Sequence, residues 1–194
     1  GHTYYDFQFL GMYSGVQHGF SENLELGVKI VVPFAIAAGI NSDLVEPFLK
    51  YGVHVSAKYR FYKGEHLHLS VRASLPVPTA ELIGSLVFGR LDLTAAVGVM
   101  APLETDVAFA WLRSSVRWRI SSELHLLGEY AAMSIADADG ASATIKMFAL
   151  AIRRIKGRFS YDLGVGAMQF NDHEDDWDSS SSTPMLYLNF GYSI

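Results

Sequence analysis

The chain has 194 residues, of which half are hydrophobic, a formal net charge of −5 and no cysteine. The lack of cysteine excludes disulfide bonds and thiolate metal sites, and the mild acidity argues against a nucleic-acid partner, which a basic surface would indicate. The longest apolar stretch, residues 28–40, is too short to span a membrane as a helix and contains Lys29 and Pro33. We expect one domain over residues 1–194, in which residues 1–2 look like a tag remnant.

Two-residue periodicity runs through the sequence and predicts strands. In residues 49–62, LKYGVHVSAKYRFY, every second residue from Leu49 is apolar, whereas the residues between them include Lys50, Lys58 and Arg60. Because successive side chains of a strand point to opposite faces, this segment separates an apolar medium from a polar one. No segment has the periodicity of an amphipathic helix.

Eleven segments share this alternation. In chain order they are residues 9–20, 24–36, 48–62, 66–75, 81–89, 92–101, 107–120, 124–134, 143–155, 158–170 and 184–194. If these strands close into a barrel, an even number of strands is expected, so a twelfth strand is predicted from residues 3–9 or from sequence ahead of Gly1. A ten-strand barrel with a displaced N-terminal segment is the alternative.

Short polar turns separate alternate pairs of strands, and their lengths predict the register. The turns at residues 21–23 and 121–123 each place two apolar residues opposite one another. The predicted pairs are Phe20 with Leu24, Ile120 with Leu124, Tyr62 with His66, Phe88 with Leu93, and Ile155 with Arg158. The other connections are more variable and acidic, so one end of the sheet carries short turns and the other carries loops.

The composition of the two faces favours a membrane barrel over a soluble sandwich. The polar faces mix Gly, Ser and Ala with Arg and Lys, which suits a confined lumen, and the apolar faces carry aromatic residues toward their ends, as the girdles of membrane barrels do. Those aromatic residues are Phe20, Phe34, Tyr51, Phe61, Phe88, Trp118, Phe159 and Tyr192. The fold class predicted is therefore all-β, a membrane-spanning antiparallel up-and-down β-barrel of about twelve strands.

Two segments carry a family resemblance. Residues 13–33, YSGVQHGFSENLELGVKIVVP, resemble the hairpins of Gram-negative outer-membrane β-barrel proteins, and the C-terminal LYLNFGYSI resembles the terminal signal read by the barrel assembly machinery. Such signals usually close with Phe or Trp, whereas this sequence closes with Ile194. The resemblance implies a bacterial outer-membrane location, contact with the lipid bilayer and lipopolysaccharide, and the barrel assembly machinery as a partner during biogenesis. It specifies no substrate.

The polar faces give a predicted set of pore-lining residues. They are Lys29, Lys50, Lys58, Arg60, Arg72, Arg113, Arg117, Arg119, Glu129, Arg153, Arg158 and Asp162, with Glu25 and Asp92 as further inward acids. A basic wall favours small anions if the lumen is open. The alternative is a salt-bridge network that plugs a narrow barrel. Small inward residues such as Gly52, Ser74 and Gly98 favour a passage.

The sequence therefore predicts an outer-membrane channel that passes small solutes and favours anions, without a cofactor. A non-conducting barrel that acts as a structural anchor or envelope-assembly component is the alternative, and a soluble lipocalin-like binder is a third class. No enzymatic activity is expected, because the pairs His54 with Ser56 and His68 with Ser70 face inward without an evident orienting acid. The acidic segment 172–178 lacks a recognisable metal-ligand spacing, so no metal site is predicted.

Overall fold

The fold is a closed antiparallel barrel. A computed structural model describes residues 3–8, 13–31, 53–76, 78–100, 108–136, 142–172 and 180–193, and these contain twelve strands. The strands are β1 (Thr3–Gln8), β2 (Tyr13–Gly19), β3 (Leu24–Val31), β4 (Val53–Lys63), β5 (Leu67–Leu75), β6 (Thr79–Phe88), β7 (Leu91–Met100), β8 (Ala108–Arg119), β9 (Leu124–Ala136), β10 (Ser142–Lys156), β11 (Phe159–Asp172) and β12 (Ser180–Ser193). No helix within these ranges is long and apolar enough to cross a membrane.

Each strand pairs with its sequence neighbours, and β1 closes the barrel by pairing with β12. The register of this closing ladder places Tyr5 opposite Tyr192 and Gln8 opposite Asn189. The prediction of a twelfth strand near the N-terminus is confirmed, because β1 occupies Thr3–Gln8. The ten-strand alternative is wrong.

The two faces of the sheet differ in exposure as the alternation predicts. In β4, Val55 is 53% exposed whereas the adjacent Ser56 is buried. The same contrast recurs at the middle of β10 and β11, where Leu150 and Val165 are 69% and 65% exposed. Large apolar side chains that cover the outside of a closed barrel require an apolar solvent, so this face is the lipid-facing one.

The turn pairings predicted from sequence are partly right. Phe20 and Ile120 each donate a backbone hydrogen bond to Leu24 and Leu124, at 2.9 and 3.0 Å, so these two pairings are confirmed. The predicted pairing of Phe88 with Leu93 is wrong, because Phe88 lies opposite Leu91. Its turn is formed by Gly89 and Arg90, and Gly89 has a φ of +54°, which favours glycine.

Two further pairings are wrong for related reasons. Ile155 lies opposite Ser160, not Arg158, because the turn contains Gly157, with a φ of +62°, and Arg158. Tyr62 lies opposite Leu69, not His66, because the connection between β4 and β5 is longer than predicted: Lys63 still pairs with His68, and the ladder also shifts by one residue between Arg60 and Tyr62. A bulge of this kind inserts one residue into a strand, so the residues after it change face.

Aromatic side chains gather on the outer face at the short-turn end. Phe20, Phe61, Phe88, Trp118 and Phe159 are each 41% exposed or more, and all lie beside short turns. The ring of Phe159 lies 4.8 Å from that of Tyr192. The predicted girdle is therefore present at this end, whereas Phe34 and Tyr51, predicted for the opposite end, lie outside the described residues.

Candidate functional site: the charged inner wall

Charged side chains lie on the less exposed face of the strands, which is the inner wall. On the described part of this wall, cations outnumber carboxylates. The cations are Lys58, Arg60, Arg72, Arg113, Arg117, Arg119 and Arg153, and the carboxylates are Glu25, Glu81, Asp92, Glu129 and Asp162. Contacts between these groups organise the wall into clusters.

The first cluster is centred on Glu81 in β6. Arg72 in β5 donates a hydrogen bond to its Oε2 at 3.2 Å, and Arg113 in β8 donates to its Oε1. The indole Nε1 of Trp111 also donates to Oε1, at 3.2 Å. Three donors thus satisfy a carboxylate whose side chain is only 4% exposed. Hydrogen bonds and opposite charges are what a buried carboxylate requires to remain ionised.

The second cluster is centred on Asp92, near the short-turn end of β7. Arg117 donates to Oδ2 through both Nε, at 2.7 Å, and its terminal NH2 group, and Arg119 donates to Oδ1 at 3.1 Å. Arg119 also donates to the backbone carbonyl of Gly89 at 2.6 Å. One carboxylate is therefore shared by two guanidinium groups, as at Glu81.

The third cluster joins β10, β11 and β12. Arg153 donates two parallel hydrogen bonds to Asp162, both at 2.6 Å, and Asn189 donates a third at 2.9 Å. Bidentate pairs of this type have a fixed geometry and are among the stronger polar contacts. The buried His125 lies between the second and third clusters, opposite Arg119 on one side and Arg153 on the other.

The carboxylates lie deeper in the wall than the guanidinium groups that they bind. The side chain of Arg113 is 45% exposed and its partner Glu81 4%, and that of Arg117 is 42% exposed and its partner Asp92 11%. The same order holds for Arg153 and Asp162. The arginine side chains therefore face the lumen, and the acids that compensate their charge lie behind them in the wall.

The remaining predicted residues are placed as follows. Lys58 forms an ion pair with Glu25 at 3.7 Å, and Arg60 donates to the backbone carbonyl of Glu22. Glu129 lies opposite Ser115 and Ala149 on the inner wall. Arg158 was predicted at the start of a strand and lies instead in the exposed turn before β11, because the positive φ of Gly157 shifts that turn by one residue. Lys50 and the side chain of Lys29 lie outside what the structure describes.

Sequence reasoning missed the residue at the centre of the first cluster. Glu81 was not assigned to a face, because its strand also directs the apolar Ile83 and Val87 inward. The sequence did contain a signal. Leu82, Leu86 and Phe88 occupy even-numbered positions and share the apolar face, whereas Glu81 occupies an odd-numbered position and therefore lies on the opposite face. Trp111, His125 and Asn189 were missed as well, since nothing in a strand pattern marks them as partners of charged groups.

One of the small inward residues, Gly98, leaves less space than predicted. A Cβ atom added to Gly98 would lie 2.4 Å from the indole ring of Trp111, so this ring covers the glycine. Gly98 therefore accommodates a large neighbour from the next strand and does not widen the lumen at this level. Trp111 reaches Glu81 across that glycine.

The described part of the wall shows no arrangement that indicates a metal site. Within the described residues, no group of three or more His, Asp or Glu side chains could hold a metal ion. Ser56 and Ser70, the hydroxyl partners in the two histidine-serine pairs, are buried on the inner wall. The acidic segment 173–178 lies outside the described residues.

Comparisons with known proteins bear on the fold. Neither a protein-family model nor a curated protein matches this chain. Among solved structures, the chain is similar to the NanC porin, with a TM-score of 0.58, 7% identity and 98% of both chains covered. It is also similar to the COG4313 outer-membrane channel of Pseudomonas putida F1, with a TM-score of 0.50, 10% identity, and 100% of this chain and 94% of that one covered.

At these identities the likeness concerns the fold, and it agrees with the observed closed barrel and its apolar outer face. The resemblance to outer-membrane β-barrel proteins that the sequence suggested is confirmed. Closed barrels with an apolar outer band span bacterial outer membranes, which agrees with the predicted location. The chain therefore has the fold of bacterial outer-membrane porins and channels.

Proposed function

We propose that this protein is an outer-membrane channel that passes small solutes and favours anions. The observation that carries the proposal is the order of charges in the wall, in which arginine faces the lumen and its acid partner is buried behind it. Rings of charged side chains set the selectivity of a pore, and arginine or lysine favours anions. The wall presents cations to a solute even where each charge has a partner.

The charge balance of the clusters supports the same preference. Glu81 binds both Arg72 and Arg113, and Asp92 binds both Arg117 and Arg119. Each of these clusters therefore carries one more positive charge than negative charge. Because the field of a charge is less screened beside a low-dielectric wall than in bulk water, this excess attracts anions into a narrow lumen.

A non-conducting barrel is the second candidate. It is favoured by the fixed geometry of the Arg153 and Asp162 pair and by the Trp111 ring that lies over Gly98. Side chains fill the interiors of small barrels. A barrel filled in this way would act as a structural anchor or as an envelope-assembly component. This candidate and the channel differ in one measurable property, which is conductance.

The proposal includes no catalytic step. The two histidine-serine pairs occupy the wall beside the arginines, so we assign them to the polar lining. Lipopolysaccharide and the barrel assembly machinery are proposed partners, on the basis of the exposed apolar outer face and the C-terminal sequence pattern. Both follow from residence in an outer membrane.

The test is the single-channel current of the refolded chain in a planar bilayer under a salt gradient. A steady conductance with an anion-type reversal potential supports the channel. A silent barrel that still shifts its gel mobility on heating supports the anchor or assembly role instead. Charge reversal of Arg113, Arg117 and Arg119 to Glu is expected to weaken the anion preference, and Arg113→Gln is the milder variant.

The matched control is Arg154→Gln. Arg154 lies in β10 opposite Leu124 and Tyr161, on the outer face, and it is exposed. Its removal changes the net charge by the same amount as Arg113→Gln and leaves the lumen unchanged. Equal reversal potentials in the two variants would contradict a role of Arg113 in selectivity.

A further inference from the structure

A groove runs along the outer face of β5 to β10. It consists of two adjoining cavities of about 450 and 720 Å³, which share Val116, Gly128 and Leu150 as lining residues. The smaller cavity lies toward the short-turn end, beside Phe88 and Trp118, and the larger one lies toward the middle of the strands. Most of its lining residues belong to the outer face, so the groove opens toward the bilayer. Four residues of the inner wall, Thr94, Ser115, Glu129 and Ala149, also contribute to the lining of the larger cavity.

Small side chains on the outer face create the groove. Gly84, Ala95 and Ser114 lie opposite one another on β6, β7 and β8 and line the larger cavity. Gly128 lies opposite Val116 and Leu150, where the two cavities join. A Cβ atom at Gly128 would lie 2.9 Å from Cγ1 of Val116, so a larger residue there would divide the groove.

A cation lies at the end of the groove nearest to the short turns. Arg90 lines the smaller cavity and is exposed in the turn between β6 and β7. Its backbone carbonyl accepts a hydrogen bond from Arg119 at 2.8 Å, which fixes the turn. Trp118 and Phe88, which are 54% and 48% exposed, belong to the aromatic girdle at the same level. Arg90 therefore lies at the level where the membrane surface meets the apolar outer face of the barrel.

We propose that this groove binds one glycerophospholipid, with the lipid phosphate on Arg90 and one acyl chain lying over Gly128. A guanidinium group is a strong donor to phosphate, and the groove behind it is apolar. If the groove were empty in a bilayer, its lining side chains and the neighbouring lipid chains would both lose dispersion contacts. A flexible acyl chain in the groove restores these contacts. A second copy of this chain is the less suitable occupant, because a two-fold contact would place groove against groove and arginine beside apolar surface.

The experiment measures quenching of tryptophan fluorescence by a brominated lipid. The refolded chain is held in dodecyl maltoside micelles, whose headgroup carries no phosphate, and dibrominated phosphatidylglycerol is added in small amounts. Trp118 lines the groove. The part of the quenching that is present in the wild type and absent in Trp118→Phe therefore reports on lipid bound in the groove. We expect this quenching to saturate at one lipid per chain.

Two variants test the two parts of the proposed site. Arg90→Gln is expected to raise the half-saturating lipid concentration about tenfold, the effect of losing one charge-assisted hydrogen bond. Gly128→Leu is expected to lower the maximal quenching because it divides the groove. Arg154→Gln, an outer-face cation that does not line either cavity, should bind lipid as the wild type does.

Three results would overturn the proposal. The first is quenching that rises in proportion to lipid without saturating, which indicates ordinary lipid solvation. The second is equal half-saturation for Arg90→Gln and Arg154→Gln. The third is a dimer by mass measurement that forms without lipid and removes the quenching, which assigns the groove to a second copy. None of these results depends on conductance, so the channel proposal is tested separately.

Discussion

The indole nitrogen of Trp111 lies 3.2 Å from a carboxylate oxygen of Glu81, although β7 separates their two strands. The ring crosses β7 over Gly98, the residue directly opposite Trp111, where any Cβ atom would collide with it. This contact makes a polar connection between β6 and β8 that strand pairing alone does not provide. It also explains why a small residue and a buried acid occur together in this wall.

The Glu81 cluster should contribute to stability. Glu81→Gln leaves Arg72 and Arg113 without their shared carboxylate, and we expect a loss of about 3 kcal/mol in the free energy of unfolding, which is typical of breaking a buried charge pair. The measurement is denaturant unfolding of the barrel in phospholipid vesicles. Glu123→Gln, in an exposed turn, is the control and should change stability by no more than about 0.5 kcal/mol. Equal stabilities of the two variants would show that the cluster adds nothing.

The acid behind a pair of arginines should moderate the selectivity of the lumen. Asp92→Asn removes the charge that Arg117 and Arg119 share, so the reversal potential under a salt gradient should move further toward that of an anion channel. Glu65→Gln removes the same charge from a turn at the same end, where the side chain is 89% exposed. A shift of the same size in both variants would mean that net charge, and not the wall, sets the selectivity.

The close approach of Trp111 to Gly98 gives a packing prediction. Gly98→Val must displace the indole ring, and we expect about 1–3 kcal/mol of destabilisation, as for other overpacked sites. The displaced ring should also lose its contact with Glu81, which would appear as a change in the tryptophan emission spectrum. Ala80→Val, on the outer face of the neighbouring strand, adds similar volume without a facing ring. An unchanged spectrum in Gly98→Val would argue against the observed position of Trp111.

The assignment of the outer face to lipid predicts an asymmetry between two arginine substitutions. Val165→Arg places a charge at the middle of β11 on the outer face, and we expect it to lower stability in vesicles by about 2–4 kcal/mol. Ser115→Arg places the same charge on the inner wall of β8, between Thr94 and Glu129, where a carboxylate is near. A smaller effect of Val165→Arg than of Ser115→Arg would reverse the two faces. Purification as a monomer without detergent would contradict a membrane location altogether.

The faces of the strands were predictable from sequence because they depend only on a two-residue period. Lys58, Arg72, Arg113, Arg117, Arg119 and Arg153 all lie on the face that the alternation predicted. Period alone cannot identify which groups meet, since Arg113 and Glu81 come from strands that are not neighbours. The contact of Arg113 with Glu81 therefore depends on curvature, which brings alternate strands together on the concave side of a barrel. The pairs Arg72 with Glu81, Arg117 with Asp92 and Arg153 with Asp162 lie directly opposite one another on neighbouring strands, so they depend on the register alone.

The register at the turns was harder to predict than the faces. The sequence suggested a two-residue turn at Arg90 and Leu91, but the turn begins one residue earlier, because Gly89 adopts a positive φ. Polarity marks the neighbourhood of a turn, and backbone conformation decides its residues. The bulge between Arg60 and Tyr62 has no evident sequence signal, since Phe61 and Tyr62 are both large, aromatic and suited to a strand.

The pairing of β1 with β12 has a consequence for how the barrel is made. Until Ser180–Ser193 has joined the sheet, both β1 and β11 present unpaired backbone edges, and exposed edges are sites at which sheets aggregate. A sheet that lacks β12 is thus open at two edges, and both are covered only after the last strand has paired with β11 and with β1.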